Sequence, residues 1–130
     1  MSTELFLANL ALVLLFLGLT LMSGRRGNRE LHYGMVISTV LFLFLAIVQA
    51  EMIGKDFVFN SLRLEIHLWC AFTALAALPG VIWSGLRLRR DELCRRTHQR
   101  WVAGFVLLTL ASISTAIWMF LDAVPVVKAD

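Results

Sequence analysis

The chain has 130 residues, 59% of them hydrophobic, with a mean hydropathy of +0.79 and a formal charge of +3. That balance excludes an ordinary water-soluble domain. The length is used up by four spans and leaves no room for an appended soluble domain. The positive charge is sorted to two turns, which argues for a membrane-oriented protein and against a nucleic-acid partner.

Four apolar blocks account for nearly all the hydrophobic residues: Leu5–Met22, Leu31–Met52, Leu64–Leu86 and Trp101–Asp122. Each approaches or exceeds the ~20 residues a helix needs to cross ~30 Å of hydrocarbon. The first begins after Met-Ser-Thr-Glu, without a basic leader, and its arginines follow it. An uncleaved first helix is therefore expected instead of a signal peptide. Next comes a turn with Arg25, Arg26 and Arg29, punctuated by Gly24 and Gly27. The second block leads into a short loop, Ile53–Leu62, with Gly54 and Asn60 as turn residues. Pro79 interrupts the third block and should kink it. A second basic turn, Arg87–Arg100, holds Arg87, Arg89, Arg90, Arg95, Arg96 and Arg100.

Nine of the twelve cations thus lie in two turns on the same side. By the positive-inside rule that side is cytoplasmic. The opposite segments carry Lys55, Arg63 and Lys128 against six acids, a local balance of −3. The expected fold is an all-α membrane protein. Its four transmembrane helices form an up-down antiparallel bundle in one domain, with N- and C-termini outside. Compact loops and the arginine bias suggest a bacterial cytoplasmic membrane.

Small residues recur where helices should approach closely: Ala76, Gly80 and Ser84 in the third block, Ala111–Thr115 and Ser112–Ala116 in the fourth. The two basic hairpins also echo one another. One reads Ser23-Gly24, basic turn, Glu30, His32; the other reads Ser84-Gly85, basic turn, Glu92, His98. A duplicated helical hairpin and chance convergence both account for the echo.

Function has to be read from polar groups that lipid disfavours. Asn9, Gln49, Glu51, Glu65, His67 and Asp122 fall near the outer ends of their helices and form one layer. His67 with Glu51 or Asp122 suits zinc or iron, and Cys70 adds a soft ligand for copper. The plainer reading of the same layer is a hydrogen-bonded band that sets helix register. At the opposite side, His32 and His98 stand at helix ends where a pair would form across the bundle. Met35 shares a helix face with His32 and offers a thioether. The surrounding arginines suit haem propionates or anionic lipid phosphates. The plainer reading here is two interfacial histidines among arginines. Cys94 is expected reduced, and no disulfide is expected between Cys70 and Cys94. No CxxC, CxxCH, HExxH, phosphate-loop or nucleophile-elbow motif occurs, so soluble-type catalysis is not expected.

Arg26-Gly27-Asn28, Glu30-Leu31-His32 and Met35 open a longer pattern. It continues with Phe42-Leu43, Phe57, Ile66-His67, Ala71, Pro79, His98 and Ser114-Thr115. Over residues 26–121 this resembles a family of small bacterial four-helix membrane proteins of unknown function that includes CtaM-type maturation proteins of haem–copper oxidases. The chain departs from the pattern in the fourth block. It reads Trp101-Val102-Ala103-Gly104, where that family has a proline and then a tryptophan. The resemblance implies a role around terminal-oxidase biogenesis, with His32, His67 and His98 as the positions that matter.

Two readings follow. One is a non-enzymatic membrane protein that assists or accompanies a respiratory or other redox complex, handling haem or copper. The alternative is a small b-type cytochrome, exchanging electrons with quinone through a haem held by His32 and His98. A transporter or channel is a third class, disfavoured because four short helices leave little room for a pathway.

Overall fold

The computed structural model describes residues 3–126, with the Thr3 side chain excepted. Its helices are α1 (Thr3–Arg26), α2 (Arg29–Gly54), α3 (Ser61–Leu88) and α4 (Arg95–Phe120). All four are long and apolar enough to cross a membrane. Two-residue strands β1 (Phe57–Val58) and β2 (Val124–Pro125) pair with each other, and a 3-10 turn at Glu92–Cys94 precedes α4.

The helices extend past the apolar blocks. At the basic turns the arginines continue α1 and α3 beyond the apolar runs, since charged side chains are compatible with helical backbone hydrogen bonding. The largest difference is in α4, which starts at Arg95 and not at Trp101. His98 therefore lies inside the first turn of α4 instead of ahead of it. At the other end α4 stops at Phe120, and Asp122 lies in the turn beyond.

Of the expected turn residues, Gly27 and Asn60 lie between helices, whereas Gly24 lies within α1 and Gly54 is the last residue of α2, because the helical hydrogen bonding runs past the apolar blocks. Asn28 caps α2 by accepting from Leu31 N, and Asn60 caps α3 by accepting from Leu62 N and Arg63 N. Gly27 has φ +72°, the left-handed conformation that ends a helix cheaply only without a Cβ. Pro79 lies within α3, which runs unbroken to Leu88.

The chain divides into two units. Among the described residues, those up to 57 together with Val126 form the first, and residues 58–125 the second. In the first, α1 packs on α2; in the second, α3 packs on α4. Each is a helical hairpin with its own seam.

In the first hairpin the seam positions are Asn9, Val13, Phe16, Thr20 and Ser23 on α1. On α2 they are Thr39, Phe42, Ala46, Gln49 and Ile53. Steps alternate between three and four residues, the period that keeps one helix face on its antiparallel neighbour. The rungs are specific. Asn9 Nδ2 donates to Gln49 Oε1 at 2.9 Å, and the Phe16 and Phe42 rings stack at 5.1 Å. The Thr20 and Thr39 hydroxyls meet at 3.0 Å. Each of these threonines also bonds its own helix, at Phe16 O and Met35 O, so no hydroxyl is left bare in lipid.

In the second hairpin Arg63 Nη1 donates to Trp118 O at 2.9 Å. His67 reaches Ser112 O, and the Trp101 ring packs closely against Gly80. Phe59 meets Phe120 edge-on at 5.1 Å. Outward from both seams stand large apolar side chains such as Phe44, Trp69, Trp83 and Leu107, as lipid-facing helices require.

Candidate functional site: the anchored histidines

The Ser-Gly…His echo is a shared local structure. In the second hairpin Ser84 is 2% exposed, and its hydroxyl donates back to Val81 O at 3.0 Å. With its proton so used, Ser84 Oγ accepts from His98 Nδ1–H, 3.0 Å away. The next residue, Gly85, lets the ring approach. A Cβ there would lie 3.2 Å from His98 Cε1.

The first hairpin repeats this arrangement. Ser23, also 2% exposed, donates to Thr20 O at 3.0 Å. His32 Nδ1 lies 3.0 Å from the same carbonyl and 3.3 Å from Ser23 Oγ. A carbonyl can only accept, so Nδ1 carries the proton. A Cβ on Gly24 would lie 3.1 Å from His32 Cε1. Each helix that receives the histidine begins three residues before it and ends 22 residues after it: α2 at Arg29 and Gly54, α4 at Arg95 and Phe120. The five extra residues in the second turn are taken up by the 3-10 segment Glu92–Cys94 and its flanks. Buried positions coincide in the two frames as well: Val13 with Ala74, Thr39 with Phe105, and Ile53 with Met119.

His67 is held in the same way from the other direction. Its Nδ1 donates to Ser112 O at 3.1 Å, with Thr115 Oγ1 at 3.3 Å. The Thr115 hydroxyl bonds its own helix at Ala111 O and Ser112 O. At His32 and His67, then, where the partner is a carbonyl, the neutral ring is protonated at Nδ1 and its lone pair sits on Nε2.

The remaining candidates are distributed as follows. Met35 lines a groove on α1–α2 with Leu19 and Met22. Asp122 is engaged by Arg63, whose Nη2 lies 2.5 Å from Asp122 Oδ2, and Arg63 also sits 4.8 Å over the Trp118 ring. Cys70 is half-buried on α3, and Glu51 is exposed near the end of α2 in the first unit. Among the described residues, no three of His, Cys, Asp and Glu come together in a group suited to a metal ion. Cys94 Sγ lies 3.9 Å from Asp91 Oδ2 in the basic turn.

Sequence reasoning did not assign Ser23, Ser84 and Thr20 their role as acceptors for the histidines. The signal was present in the paired Ser-Gly before each basic turn. It became chemically meaningful only when the returning helix brought an imidazole to it. The contact of Gly80 with Trp101 was likewise legible only as a small residue in a stripe. No known family, characterised protein or solved structure matches the chain.

Proposed function

We propose that the protein is a non-enzymatic, multi-pass membrane protein of the bacterial cytoplasmic membrane that assists or accompanies a larger redox complex, its histidines handling haem or copper. The observation that carries this reading is the anchoring of Nδ1 in His32, His67 and His98. Metal-binding histidines are ordinarily oriented in this way, with one nitrogen donating to a carbonyl or similar acceptor and the other presenting its lone pair.

The residues fit such a cargo. Imidazole Nε2 suits both haem iron and copper. Met35, one turn on from His32, adds a thioether for Cu(I). Arg25, Arg26, Arg95 and Arg96 offer planar donors to carboxylates such as haem propionates. When bound, haem or copper would supply one-electron chemistry; this chain's own residues hold the rings in place and set which nitrogen is basic. The outward apolar faces of all four helices suit a lipid-embedded contact with a partner complex. The arginine-rich turns would face the cytoplasm.

The test is a visible spectrum and elemental analysis of the full chain purified in detergent, with His32→Ala, His67→Ala and His98→Ala beside it. The reading expects haem or copper in stoichiometric amount, lost in at least one variant whose helix content is unchanged. Copper or haem retained by all three variants would sink the histidine assignment. A Soret band removed by either His32→Ala or His98→Ala would turn the reading toward the b-type cytochrome. Co-purification with a larger complex and no bound cofactor would leave the accessory role and remove the cargo.

A further inference from the structure

Each hairpin carries an open groove on its flank, largely apolar and with an arginine at its rim. The first, about 410 Å³, has Leu19, Met22, Leu31 and Met35 as its apolar wall, with Arg26 and Asn28 at its rim. The second, about 290 Å³, has Ala77, Trp101, Phe105 and Leu108, with Thr97 and Arg100 at its rim. Their positions correspond in the repeat in part, since Arg26 closes the first helix of its hairpin and Arg100 lies in the second helix of the other. Leu31 and Met35 stand one before and three after His32, while Thr97 and Trp101 stand one before and three after His98. Both grooves lie toward the basic end of their hairpin.

The rim charge has no internal partner. Neither Arg26 nor Arg100 forms an ion pair among the described residues, whereas Arg63 is fully engaged. A guanidinium left unpaired at the edge of hydrocarbon calls for an anion at headgroup depth. The wall beneath it is mainly methyl, methylene, thioether and aromatic surface, which in a bilayer is filled by an alkyl chain. A free phosphate would satisfy the arginine and leave that wall bare.

We infer that each hairpin holds one anionic phospholipid, with an acyl chain along the groove and the phosphate on Arg26 in the first hairpin and on Arg100 in the second. In the first hairpin the site shares Arg26 and Met35 with the cargo reading above; in the second it uses none of the residues assigned there. It makes specific what a basic turn alone offers only diffusely.

Native mass spectrometry of the full chain, released from vesicles of equal phosphatidylglycerol and phosphatidylcholine, reads the bound lipid directly. Two phosphatidylglycerol molecules should be retained in preference to phosphatidylcholine. Arg26→Gln and Arg100→Gln should each weaken one of them about fivefold, the effect of ~1 kcal/mol per basic residue near a membrane surface. Arg25→Gln and Arg90→Gln remove the same charge outside the grooves and should leave both lipids in place. Leu19→Trp and Leu108→Trp fill the grooves without altering charge and should displace them. Soluble glycerol phosphate should not compete. Equal losses in Arg25→Gln and Arg26→Gln, equal retention of both lipids, or displacement by glycerol phosphate would each overturn the inference. Unchanged far-ultraviolet circular dichroism keeps a lipid loss from being read through misfolding.

Discussion

His98 Nδ1 and Ser84 Oγ lie 3.0 Å apart, joining the first turn of α4 to the last full turn of α3. Because Ser84 donates to Val81 O, this one contact fixes both the ring position and its tautomer. His32 and Ser23 stand in the same relation on the other hairpin.

Replacing that serine should therefore act on chemistry more than on stability. Ser84→Ala removes the acceptor for His98 Nδ1–H at a cost of about 0.6 kcal/mol, the average for polar side-chain contacts in membrane proteins. Nitrogen-15 shifts of labelled histidine should show the ring losing its single tautomer while thermal unfolding in detergent barely moves. An unchanged tautomer in Ser84→Ala would mean that another group orients the ring.

Gly80 is the position least able to accept a side chain. A Cβ there would lie 2.8 Å from Trp101 Cδ2 and nearer still to the ring edge, so backbone or ring must move. Gly80→Ala should destabilise the α3–α4 hairpin by about 1–3 kcal/mol, the range for overpacking. Combining it with Trp101→Ala should recover much of that loss, since the clash has a single owner. A double variant no more stable than Gly80→Ala would place the strain elsewhere.

Asn9 and Gln49 form a buried amide pair, each 4% exposed. Removing one partner strands the other in an apolar setting, so Asn9→Leu should cost about 1–3 kcal/mol. The double variant Asn9→Leu with Gln49→Leu replaces both polar groups and should be milder than either single change. Asn9 Oδ1 already finds no donor among the described residues, which adds to the gain from removing it. Equilibrium unfolding of the four forms in a double-mutant cycle measures the coupling.

The Arg63–Asp122 pair sits at the membrane edge, with side chains 22% and 54% exposed. Screening by water and salt should hold the effect of Asp122→Asn below about 1 kcal/mol. Arg63→Ala should cost more, because Arg63 also donates to Trp118 O and covers the Trp118 ring. Unfolding at low and high salt separates the two contributions; the loss in Asp122→Asn should shrink with salt, while the excess loss in Arg63→Ala from the Trp118 contacts should persist.

Helix number was readable from the chain because the cost of bare backbone in lipid makes each span a continuous apolar run. Gly27 and Asn60 were readable as turn residues for equally local reasons, while the capping role of Asn28 was not assigned. The start of α4 was misplaced by six residues, because hydropathy reports where lipid begins and not where helical hydrogen bonding begins. His32, His67 and His98 could be named as candidates from their place in apolar sequence. Nothing local to them said which ring nitrogen would be basic.

By itself, then, the sequence determined four lipid-compatible helices, their two guanidinium-rich turns and the doubled Ser-Gly…His pattern, since these depend on composition and near neighbours along one strand of chain. The tertiary structure decided that Ser84 receives His98, that Trp101 covers Gly80 and that Arg63 takes Asp122. Those pairings depend on the rotation and axial offset of two packed helices. A shift of one residue turns a side chain by about 100° on a helix of 3.6 residues per turn, enough to exchange every partner.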